Sequence, residues 1–228
     1  GDFADQEAVL AAVERTFGAL PERRNERRVR EFARQVDFPR AVESKVFTYE
    51  SEIDRGIATV NWPTTDQDDI FTTRRLSVLA SAYSDRMRIQ IREDIGEAYS
   101  PYAFNSSSDT WEDYGVFRAV VGVQPDRVGE IESILLQIGD DMARDGITED
   151  ELVRAIEPIK SQIEEYRRTN GYWLNSVLLR SQDEPRRLEW ARSFAGFWET
   201  ITVEEINELA AEYLQPEAGL PVRILPRS

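Results

Sequence analysis

GVFRAVVGV, residues 115–123, places Phe117, Ala119, Val121 and Val123 on one side of an extended chain. Period-two apolar patterning makes a strand with one buried face, and another layer has to cover that face. The cover comes from segments with helical period. Leu76, Leu79, Tyr83, Met87 and Ile91 recur every three or four positions, the spacing of one helix face. A sheet with helices packed against it follows, so the chain is expected to be α+β.

The remaining segments fit that plan. Asp5 to Phe17 reads as a helix with Val9, Leu10, Val13 and Phe17 on one face, stopped by Gly18 and Pro21. Residues 18–41 have weak periodicity and many charges, and read as a connector. We expect a tail helix and linker over 1–40 and one complete domain over 41–228. Residues 42–50 and 56–63 read as strands joined by a short loop. Asp68 or Asp69 caps the long helical segment, Ser84 and Asp85 restart it, and Gly96 ends it. Residues 99–108 and 115–123 form a hairpin with a long Ser/Asp-rich tip. Pro125 and Asp126 open a helix to about Arg144. Thr148 with Glu151 and Thr202 with Glu205 are capping boxes. Helices are expected near 149–168, kinked at Pro158, and near 171–182 and 185–199. LPVRILP (220–226) reads as the last strand. The expected sheet is antiparallel, with helices on one face.

Composition removes several functions. The 228 residues include no histidine and no cysteine. Catalytic zinc is held chiefly by those side chains, and Ser-His or Cys-His nucleophiles need them too. The net charge of −15 opposes nucleic-acid binding, where Lys and Arg must replace counterions. The basic-looking PERRNERRVR (21–30) interleaves both signs and reads as a solvated connector. No apolar run approaches the ~18 residues of a membrane span.

One stretch carries chemistry. In IREDIGEAYSPYAF (91–104) a helix ends in a charged turn, Gly96 breaks it, and an aromatic strand begins. Arg92 and Tyr99 flank the break. A guanidinium offers a fixed fork of donors to carbonyls, and a phenol can donate to developing negative charge. The same residues also have ordinary roles, since a helix C-terminus favours Arg and a strand start accepts Tyr. Glu93, Asp94 and Glu97 lack the loop that calcium needs and read as a solvated helix end. Trp62, Trp111, Trp173, Trp190 and Trp198 read as core side chains rather than as a peptide groove.

SDRMRIQIREDIGEAYS (84–100) resembles the C-terminal repeat of the pitrilysin/insulinase family of zinc metallopeptidases. The shared pattern is a serine-containing helix start, a helix ending in Ile91-Arg92-Glu93, a turn with Gly96, and Tyr99-Ser100 opening a strand. GDF at the N-terminus, GITEDEL (146–152) and NGYWL (170–174) resemble further family segments in the same order, the last of them from bacterial members. The resemblance implies an α+β repeat in a protein whose two halves close around a peptide. The first half would carry H-x-x-E-H and the zinc, a motif this chain cannot match. It implies that Arg92 binds the peptide backbone and that Tyr99 helps hold the oxyanion. The chain would then be the substrate-binding and closure part of a zinc metallopeptidase. It would hold no cofactor itself, and its partners would be a peptide substrate and the zinc-bearing half. A bacterial periplasmic or envelope location is expected. A degenerate family member serving as a structural or assembly subunit is the alternative.

Overall fold

The computed structural model describes residues 5–21, 35–39, 43–95 and 101–227, with the side chains of 92–95 outside that description. The chain divides into two units, Gly1–Phe32 and Ala33–Ser228. In the first, helix α1 spans Gln6–Thr16, and the Asp5 carboxylate accepts from the Ala8 N–H at 2.9 Å. Its apolar residues Val9, Leu10, Val13 and Phe17 are exposed.

Among the described residues the second unit holds five strands: β1 (Lys45–Glu50), β2 (Gly56–Thr64), β3 (Tyr102–Ser107), β4 (Gly115–Val123) and β5 (Leu220–Arg227). They form one sheet in the order β1-β5-β2-β4-β3. The α+β fold expected from the periodicities is therefore present, with one departure. All neighbours are antiparallel except β1 and β5, which run parallel with Lys45 opposite Val222. The sheet is mixed because the final strand enters between β1 and β2, so those two consecutive strands do not pair.

Among the described residues five α-helices follow β2: α2 (Ile70–Ile95), α3 (Val128–Asp145), α4 (Glu149–Tyr166), α5 (Arg186–Ser193) and α6 (Val203–Tyr213). Asp69 caps α2 by accepting from the Phe71 N–H at 2.9 Å and the Thr72 hydroxyl at 2.8 Å. α2 does not restart at Ser84. It is one 26-residue helix. α4 runs on through Pro158, and both expected capping boxes are formed, at Thr148–Glu151 and Thr202–Glu205. The helix expected over 171–182 is instead a π-helical segment, Tyr172–Leu178, closed near Arg180 in a left-handed conformation at φ 63°.

The core sits between the helices and the sheet face that carries Ala58, Val60, Trp62, Phe117, Ala119 and Val121. Trp62 of β2, Phe117 of β4 and Tyr83 of α2 meet edge-on, with ring centroids 5.5–6.1 Å apart. The Tyr83 hydroxyl donates to the Leu135 carbonyl of α3, and burial pushes its pKa well above the ordinary tyrosine value. A Cβ at Gly139 of α3 would lie 2.7 Å from Trp62 Cζ2, so only glycine lets α3 come this close to β2. Gly139→Ala should cost roughly 1–3 kcal/mol through overpacking, read as a lower urea midpoint. An unchanged midpoint would show that the indole has room to move.

Candidate functional site

The C-terminal half of α2 is fastened on three sides. Met87 and Ile91 are buried in the core. The Ser84 hydroxyl donates to the Ala80 carbonyl at 2.8 Å and accepts the Ala103 N–H of β3 at 2.8 Å. That bond ties the helix directly to the strand that follows it. On the other side, Arg86 forks onto Glu151, with Nε 2.6 Å from Oε1 and a terminal nitrogen 3.0 Å from Oε2. The same terminal nitrogen donates to the Gly146 carbonyl at 2.7 Å.

Gly146 ends α3 at φ 73°, in the left-handed region, and its N–H donates to the Met142 carbonyl. Asn207 of α6 clasps the next residue, accepting the Ile147 N–H at 2.7 Å. Arg86 thus joins α2 to the turn that α3, α4 and α6 share. The fork from Arg86 and the hydrogen bonds from Thr148 outweigh partial burial and hold the Glu151 carboxyl below its usual range.

This framework fixes α2 up to Arg92, the first residue of the expected pair. Arg92 lies in the last turn of α2, directly after buried Ile91. Its side chain lies outside the described residues, as do Gly96, Tyr99, Ser100 and the side chains of Glu93 and Asp94. β3 resumes at Tyr102, and Tyr102 and Phe104 stack with centroids 5.9 Å apart. Arg118 of β4 sits 5.7 Å from the Phe104 ring centroid and donates to Asn61 at 2.6 Å. This aromatic–guanidinium strip starts two residues beyond Ser100. The alternation in YAFNSS could have revealed it.

The tryptophans divide. Trp62 and Trp198 are buried, whereas Trp111 and Trp173 are exposed. Trp173 keeps its ring at the surface because its N–H reaches the Arg167 carbonyl at 2.9 Å. Trp190 lines a cavity of about 820 Å³ between the N-terminal half of α2, the end of α4, the π-helical segment and α5. Among the described residues no three His, Cys, Asp or Glu side chains cluster as metal ligands. The donor chemistry of this chain does not suit zinc.

A family model described as the Peptidase M16 inactive domain matches residues 1–159. The chain belongs to this family of pitrilysin-type domains. An uncharacterized zinc protease of Mycobacterium tuberculosis is 28% identical over 157 residues, covering 64% of this chain and 32% of that protein. One from Streptomyces coelicolor is 32% identical over 80 residues, 35% of this chain and 17% of the relative. The chain therefore spans a third or less of these zinc-protease relatives. Among solved structures, the periplasmic protease PqqL of Escherichia coli superposes with a TM-score of 0.67 at 17% identity, over 99% of this chain and 24% of that one. A conserved protein of Enterococcus faecalis gives 0.70 at 16% identity, over 98% and 50%. These likenesses are of fold.

The clamp makes an acid-side prediction. Glu151 titrates lower folded than unfolded, so its contribution is complete above about pH 4.5 and is lost as pH falls through the folded range. Glu151→Gln should be less stable than the parent near neutral pH, and the gap should close in acid. A gap of equal size at both pH values would mean that the ion pair contributes nothing.

Proposed function

We propose that this inactive-domain chain is the substrate-binding and closure part of a zinc metallopeptidase, with the zinc and its H-x-x-E-H motif on another part of the protein or on a partner subunit. The observation that carries the reading is the family match together with Arg92 and Tyr99, in family order on either side of Gly96 in the sequence. In this reading the Arg92 guanidinium binds a carbonyl of the peptide backbone, and the Tyr99 phenol donates to the oxyanion that forms when that backbone is attacked. Residues 1–40 are the tail helix and linker of the preceding repeat, and 41–228 the complete last repeat. The exposed apolar residues of α1 support a place in a larger protein. A periplasmic or envelope location is supported by the likeness to a periplasmic protease.

The two side chains should fail differently in the assembled peptidase. Tyr99→Phe keeps the ring and removes one donor, so turnover should fall by roughly 10²-fold with little change in KM. Arg92→Ala loses a contact made in ground and transition states alike, so KM should rise as turnover falls. Steady-state kinetics on a peptide substrate separate these cases. Unchanged constants in both variants would make the pair structural and put the assembly-subunit reading first.

A further inference from the structure

The cavity beside the first half of α2 is built around Arg74. This residue is 6% exposed, and among the described residues no carboxylate pairs with it. Its guanidinium donates to the Ser193 hydroxyl at 3.0 Å and to the Trp190 carbonyl at 2.7 Å. Phe71, Phe194 and Phe197 surround it, with ring centroids 5.1–5.8 Å from Cζ. Burial lowers its pKa to about 10, with Tyr172 acting in the other direction, so it stays charged at neutral pH. Buried charges are normally paired, because removal from water is costly. Neighbouring Arg75 follows that rule and meets Glu205 at 2.5 Å.

The rest of the cavity is aromatic. Tyr166, Tyr172, Phe194 and Trp198 touch in succession, with centroids 5.3–5.9 Å apart. Trp198 is 5% exposed, and among the described residues its Nε1 has no hydrogen-bond partner. The second cation in the lining, Arg187, meets Glu184 at 3.0 Å, a carboxylate it shares with Arg180, which also pairs with Asp109, and the acidic residue in the lining, Glu165, is exposed. A cation without a carboxylate partner in an aromatic-lined cavity of this size suits a particular chemistry: a single carboxylate on an aromatic or aliphatic body.

We infer that this cavity binds an apolar carboxylate, with its oxygens on Arg74 and its body among the aromatic rings. Two sources share that chemistry, the C-terminal residue of a peptide and a free N-acylated amino acid. The site lies about 27 Å along α2 from Arg92 at 1.5 Å per residue, so it does not depend on the peptidase reading.

The test uses this chain alone. Titrate it with N-acetyl-phenylalanine and with a tetrapeptide ending in phenylalanine, each as free acid and as amide, and follow tryptophan fluorescence and calorimetric heat. At least one acid should bind saturably and tenfold or more tighter than its amide, and Arg74→Gln should abolish the difference. Binding by the tetrapeptide acid alone assigns a peptide C-terminus, and binding by both acids shows that the small molecule suffices. Equal binding of acid and amide, or no saturable binding by either acid, overturns the inference. The acid–amide comparison on the unaltered chain decides even where Arg74→Gln does not fold.

Discussion

The contact of Trp62 with Gly139 sets the layering of the second unit. The indole stands on the middle strand of the sheet, and α3 can lie over it only where a side chain is missing. Tyr83 then fills the angle between Trp62 and Phe117 and places its hydroxyl on the α3 backbone. One helix turn is thereby fixed against sheet and neighbour together. The next residue is Ser84, which reaches β3 through Ala103. The packing at Trp62 therefore decides where α2 ends relative to β3, and so where Arg92 stands in the backbone. A close-packed interior transmits a displacement of this kind rather than absorbing it.

α2 has different electrostatics at its two ends. Toward the C-terminus Arg86 is matched by a carboxylate that is itself locked into a capping box. Near the N-terminus Arg74 has neutral partners, a hydroxyl, a carbonyl and three aromatic faces. The first arrangement is complete and serves as a fastening. The second leaves a largely buried cation at the edge of a cavity, without a carboxylate partner among the described residues.

Local signals in the sequence were legible where the physics is local. Both capping boxes lie within four residues and formed as read, and β4 spans the alternation that announced it. Long-range determinants were not legible. The parallel pairing of β1 with β5 depends on the last strand returning between β1 and β2. Ser84 resembles a helix start by residue type, yet its hydroxyl serves a strand 19 positions away. Arg74 looks like one of two adjacent surface arginines until α5 folds over it. The family order of Arg92, Gly96 and Tyr99 could be read as a pattern, and the match over residues 1–159 places that pattern in an inactive-domain family.

The division of labour proposed here puts one wall of a peptidase cleft in this chain and the metal elsewhere. Metal analysis and chelator-sensitive peptide cleavage should be measured on three samples: this chain, the H-x-x-E-H-bearing half, and the two together. The account predicts no tightly bound zinc and no cleavage with this chain alone, and full cleavage only when both parts are present. Stoichiometric zinc and cleavage in this chain alone, or full activity of the zinc-bearing half without it, would contradict the account.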